Sequence, residues 1–167
     1  KNPLLVKGPP ECCKTRLARA VANELDLTLH EWYIKSTSRA RDGLYTIDMI
    51  RRLQDAQLRI PQAQKLTPYI RFGPLGEALA SGTESVVLID EIDKADIDFP
   101  NDLLQELDEK RFTIEELDER ELTEEDREKG FKKTYTTSQP PVVIITSNDE
   151  KELPDAFLRR CLFYYIN

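Results

Sequence analysis

Two adjacent carboxylates, Asp90 and Glu91, close the apolar run Val86-Val87-Leu88-Ile89. Four hydrophobic residues in a row suit a strand buried on both faces, and charged groups at its end emerge at the rim of a parallel sheet. The chemistry that needs two carboxylates there is phosphate transfer. One holds Mg²⁺ directly or through water, and the other orients a water for attack on a terminal phosphate. An apolar strand followed by an acidic surface turn has the same sequence pattern, so the pair alone leaves both readings open.

A second stretch decides between them. Leu4-Leu5-Val6-Lys7-Gly8-Pro9-Pro10-Glu11-Cys12-Cys13-Lys14-Thr15 runs in the order strand, turn, helix start. Such a loop aims backbone N–H groups and a helix N-terminus at phosphates, with a lysine for the β and γ phosphates and a hydroxyl for the metal. Lys14 and Thr15 fill those two roles, and Gly8, Pro9, Pro10, Glu11, Cys12, Cys13 and Arg16 complete the candidate nucleotide-binding loop. The helix that follows is signalled by apolar residues at 17, 18, 21, 22 and 25, a helical spacing.

From these residues the chain resembles the AAA+ ATPases, and within them the MoxR-like branch. The lysine loop is similar to Walker A and the Asp90-Glu91 strand to Walker B. Val142-Val143-Ile144-Ile145-Thr146-Ser147-Asn148 resembles the strand that carries sensor 1. Leu153-Pro154-Asp155-Ala156-Phe157-Leu158-Arg159-Arg160-Cys161-Leu162-Phe163 resembles the segment bearing the arginine finger. Four motifs in order cover nearly the whole chain.

The resemblance implies an α/β fold: a three-layer P-loop NTPase core of the AAA+ type, a parallel sheet with helices on both faces, and a small hairpin insertion before sensor 1. It implies ATP and Mg²⁺ as ligands. Thr15 and Asp90 would hold the metal, Glu91 would orient the attacking water, and Asn148 would position that water or sense the γ-phosphate. Arg160 would act across a subunit interface on the neighbour's nucleotide, with Arg159 as the second choice. An in-trans arginine implies a homo-oligomeric ring, a hexamer in this family, working on an unknown client protein. Residues 1–167 would be the nucleotide-binding core without its C-terminal helical lid, a piece of something longer.

The loop departs from the family at two positions. Glu11 and Cys13 stand where glycine is usual, Cys13 directly before the lysine. Glycine suits such positions because a Cβ resists the required backbone and blocks close approach to phosphate. Forcing Cys13 into that conformation costs about 1–3 kcal/mol, and Glu11 sets a negative charge beside a polyanion. Weakened binding is the expectation, which admits a nucleotide-binding scaffold that does not turn over. A P-loop kinase is a third reading, disfavoured by the Asp-Glu pair followed by a sensor asparagine.

Composition agrees with one compact domain. The 167 residues are 40% hydrophobic and 33% charged, an ordinary balance for a soluble globular chain. No apolar run is long enough to span a membrane, and no basic start with an apolar stretch marks a secretory signal. Three cysteines, at 12, 13 and 161, form no metal-ligand pattern and argue against a disulfide framework, so a reducing, cytoplasmic compartment is the expectation. A helix N-terminus lowers a thiol's pKa, so Cys12 and Cys13 are either redox-sensitive thiols or plain loop residues.

The net charge is −7, and residues 115–128 alone hold nine acidic and two basic side chains. An acidic balance disfavours direct nucleic-acid contact. The acidic run reads as a solvated insertion, with Thr123 capping a short helix that Gly130 ends. Strands are expected over 28–34 and 162–166, and helices over 45–58, 73–80 and 99–107. A hairpin of 111–114 with 134–137 should bracket the acidic run. His30 and Trp32 read as structural.

Overall fold

The computed structural model describes residues 2–10 and 12–166. Five parallel strands form the central sheet: β1 (Leu4–Lys7), β2 (Thr28–Tyr33), β5 (Ser85–Asp90), β8 (Val142–Ser147) and β9 (Leu162–Tyr165), in the order β2-β5-β8-β1-β9. Two antiparallel pairs flank it. They are β3 (Tyr45–Ile47) with β4 (Ile70–Phe72), and β6 (Arg111–Thr113) with β7 (Thr134–Thr136). The helices are α1 (Lys14–Glu24), α2 (Met49–Gln57), α3 (Pro74–Ser81), α4 (Phe99–Asp102), α5 (Leu104–Glu109), α6 (Glu124–Glu128) and α7 (Asp155–Leu158).

All six residues of β5 are buried, as the unbroken apolar run requires of a central parallel strand. Side chains of a strand alternate between faces, and here the two faces feed separate cores. Val86 and Leu88 join Val6 and Ile144 beneath α1, through its Ala18 and Ala22. Val87 and Ile89 join Leu5 and Ile145 on the opposite face, with Leu75 and Leu79 of α3 and Phe157 of α7. The result is helix, sheet, helix. Parallel strands put their carboxyl ends on one edge, so β1, β5 and β8 deliver Lys7, Asp90 and Ser147 to the same rim.

Several local expectations are corrected. Residues 45–58 are not one helix: Tyr45–Ile47 is a strand paired with β4, and the helix starts only after Asp48, whose carboxylate accepts from Arg51 N at 3.0 Å. Pairing supplied by a distant strand outweighs local periodicity. The apolar face of α2 is not buried either, with Ile50 75% and Leu53 62% exposed. Leu25 is likewise exposed, serving as the C-cap of α1. The 99–107 helix is interrupted at Leu103, where the backbone stays helical (φ −81°, ψ −16°) and Leu103 N still reaches Phe99 O at 3.3 Å. Trp32 is buried against Phe99, ring centroids 5.4 Å apart, and a Cβ on Gly43 would meet its ring at 2.2 Å. His30 Nδ1 lies 3.2 Å from Glu77 of α3.

The acidic run is anchored rather than simply solvated. Leu117 is fully packed in the core, and Asp126 is buried. Thr123 caps α6 by accepting from Asp126 N, Asp126 accepts from Thr123 N in return, and Gly130 follows in a left-handed conformation. Asp126 also accepts from Thr67 Oγ1 at 2.8 Å and Thr123 Oγ1 at 2.6 Å. Those hydroxyl and backbone donors hold its carboxyl at about 2, below its unfolded value. A carboxylate depressed in this way stabilises the fold above its unfolded pKa, and the contribution is lost as pH falls through the folded one. Thermal melts from pH 5 to pH 2 should therefore show a decline between about pH 4 and pH 2 that is reduced in Asp126→Asn.

Candidate functional site

At the carboxyl rim, β1 leads into the candidate phosphate loop and α1 begins at Lys14. Gly8 has little room for a side chain, since a Cβ there would stand 2.7 Å from the backbone oxygen of Ile166. Cys13 sits at the N-cap of α1 with φ 61° and ψ 24°, the left-handed region in which glycine is free and a Cβ is not. The sequence expectation for this residue thus has its structural counterpart. Glu11 lies outside the described residues.

Lys14 is buried, and its ammonium donates to Gly8 O at 2.9 Å and Pro9 O at 2.7 Å. The loop carbonyls therefore hold the cation that the sequence assigned to phosphate. Thr15 Oγ1 lies 3.0 and 3.1 Å from the two oxygens of Asp90. Thr146 Oγ1 donates to Asp90 Oδ1 at 2.6 Å and accepts from Glu91 N at 2.8 Å. Thr146 was missed from sequence because a threonine inside a sheet strand reads as packing. Its adjacency to Asp90 exists only once β8 lies beside β5.

Glu91 adopts φ 60° and ψ 51°, turning the chain sharply after β5. Its Oε1 accepts from Asn148 Nδ2 at 3.1 Å, and its Oε2 is ion-paired with Lys94. Donation from its ammonium to the Glu91 carboxylate raises the Lys94 pKa above the ordinary lysine value. Lys7, at the end of β1, pairs with Asp149 at 2.7 Å. Cys13, Glu91 and Asp149 are all non-glycine residues with positive φ. Conformations of this kind each cost about 1–3 kcal/mol, and Asp26, Arg59 and Lys110 share them away from the cleft.

One cleft of about 430 Å³ is lined by Pro10, Cys13, Lys14, Thr15, Arg16, Asp90, Glu91, Thr146 and Asn148. It brings together the loop, the Asp90-Glu91 pair and Asn148. Arg160 is not part of it: on the surface after α7 it donates to Asp108 at 2.8 Å and to Ala156 O at 3.0 Å. Arg159 is exposed nearby. Burial pushes the Cys161 thiol up to about 11, so it remains protonated and unreactive near neutral pH. Among the described residues no helix is long and apolar enough to cross a membrane.

A strand, phosphate loop and helix feeding a rim with paired carboxylates define a P-loop nucleotide-binding domain of the α/β class. Residues 2–156 match the model of the AAA domain (Cdc48 subfamily). The chain belongs to that family, and so to the AAA+ P-loop ATPases. Among solved structures, it is similar to a Cytophaga hutchinsonii protein described as a proposed ATPase, at 18% identity and TM-score 0.63, covering 99% of this chain and 42% of that one. It is also similar to two Thermotoga maritima RuvB structures. The P216G mutant matches at 16% identity and TM-score 0.55, and the Holliday junction branch migration motor at 15% and 0.52. Each of these covers 99% of this chain and 38% of the other. The chain thus spans about two fifths of the length of these structures, and the likeness is one of fold. Comparison with curated proteins gives no match.

Proposed function

We propose that residues 1–167 are the nucleotide-binding core of a MoxR-like AAA+ ATPase, which hydrolyses ATP and uses the cycle to remodel a client protein. The observation that carries this reading is the single cleft into which Lys14, Thr15, Asp90, Glu91 and Asn148 converge. The residues fit Mg²⁺. A threonine hydroxyl and a carboxylate 3.0 Å apart are hard oxygen donors placed side by side, and this ion is held by one or two such groups together with phosphate and water. When bound, the ion supplies charge neutralisation at the β and γ oxygens.

The chain's own residues do the rest. Lys14, held by the carbonyls of Gly8 and Pro9, would turn to phosphate oxygens, and Thr15 and Asp90 would hold Mg²⁺. Gly8, Pro9, Pro10, Glu11, Cys12, Cys13 and Arg16 are the loop residues that would bind the phosphates. Glu91 orients the attacking water, and Asn148 holds the Glu91 carboxylate and senses the γ-phosphate. Arg160, exposed rather than sunk in a core ion pair, would act on the nucleotide of a neighbouring copy, which requires an oligomer, a hexameric ring by likeness to the family. The acidic balance favours a protein client over nucleic acid, and a cytoplasmic site of action follows the family resemblance.

A second reading, a nucleotide-binding scaffold without turnover, is favoured by the left-handed backbone at Cys13. Steady-state phosphate release separates the two. Turnover that requires Mg²⁺ and stops with a chelator supports the ATPase; nucleotide binding without release installs the scaffold.

A further inference from the structure

Asp93 lies two residues beyond Glu91, on the helical turn Ile92–Lys94, and is 2% exposed. A carboxylate buried this deeply must find donors. Those donors are the backbone N–H of Asn148, 3.1 Å from Oδ2 and 3.3 Å from Oδ1, and the backbone N–H of Glu150, 2.9 Å from Oδ2. Both belong to the segment that follows β8. Asp93 therefore fastens the loop after the sensor strand to the turn after the carboxylate pair.

The fastening closes a circuit. With its backbone held by Asp93, Asn148 directs its side-chain amide at Glu91 Oε1 across 3.1 Å. Glu91 in turn begins the turn that carries Asp93. Between the two clamped N–H groups, Asp149 has φ 64°, a conformation that needs outside support to persist. Asp93 does not line the cleft, so its influence on the chemistry runs through Asn148.

We infer that Asp93 is the positioning residue for the Glu91–Asn148 pair, fixing the sensor backbone so that the asparagine amide holds the glutamate carboxylate in one orientation. The inference rests on the hydrolytic reading of the cleft. It adds a residue to that reading which neither touches nucleotide nor belongs to the motifs that identify the family here.

The test is a double-mutant cycle in phosphate release, read together with ATP affinity. Asp93→Asn keeps the volume but replaces one accepting oxygen with an amide that faces N–H groups. Loss of a hydrogen bond to a charged group should lower kcat by about 10- to 100-fold, while the Kd for Mg-ATP stays within about threefold. In an Asn148→Ala background the same change should lower kcat by less than about twofold, because the arrangement it maintains is already gone. Should Asp93→Asn fail to fold, Asp93→Ser keeps an acceptor oxygen and carries the same expectation. Multiplicative losses in the cycle, a parallel collapse of kcat and affinity, or unfolding of both variants would mark Asp93 as structural and overturn the inference. Absence of phosphate release from the unaltered protein would instead fail the hydrolytic reading. Release that Glu91→Gln and Asn148→Ala suppress, but Asp93→Asn leaves at full rate, would fail the inference alone.

Discussion

Replacing Glu91 by glutamine is expected to leave Mg-ATP affinity within about threefold and to lower kcat by about 10²- to 10⁴-fold, the range that a positioned acid–base group contributes. The carboxylate contacts Asn148 and Lys94 rather than the phosphate loop, so binding should not depend on it. Glutamine keeps the shape but loses the charge. Whichever way the new amide turns, its NH₂ group faces a donor, either the Asn148 amide or the Lys94 ammonium. The orientation that the wild-type carboxylate keeps is then lost together with its basicity. Steady-state phosphate release beside a binding titration reads the two quantities separately. Equal losses in both would mark Glu91 as a structural residue of the turn.

The parts of this site legible in the sequence are those whose signal is local. Val86 to Ile89 announces a buried central strand because four apolar residues admit little else, and the carboxylates at its end follow from strand direction. The placing of Lys14 and Thr15 at one cleft is readable because the loop between β1 and α1 is a contiguous unit. Contacts between strands are another matter. Thr146 on Asp90 and Asp93 on the Asn148 backbone join residues more than fifty positions apart, and only the order β5-β8-β1 brings them together. Tyr45–Ile47 does not show as a strand in the sequence for the same reason, since its partner β4 lies some 25 residues away. Within the acidic run, Thr123 and Gly130 are legible because capping is local. The burial of Asp126 is not legible there, because its partner Thr67 belongs to a different turn.

The loop yields the second large effect. Cys13 occupies a left-handed backbone position at the mouth of the cleft, and Glu11 brings a carboxylate into a sequence segment meant for phosphate. Changing both to glycine removes the Cβ penalty and one negative charge. Together these should tighten Mg-ATP binding by about 2 kcal/mol, or roughly thirtyfold. Part of the gain comes from electrostatics and should shrink at high salt, whereas the backbone part should not. That salt dependence distinguishes the two causes in one series of titrations.

Whether the cleft holds a nucleotide through Lys14 is tested most directly by calorimetric titration of ATP, with Mg²⁺ present, into the unaltered protein, the Glu11→Gly/Cys13→Gly variant and Lys14→Ala. Lys14 is the buried cation at the loop, so its removal should weaken binding at least tenfold, while the glycine pair should strengthen it about thirtyfold. No gain from the glycines together with no loss from the alanine would contradict the account, because the loop between β1 and α1 would then not be where nucleotide is held.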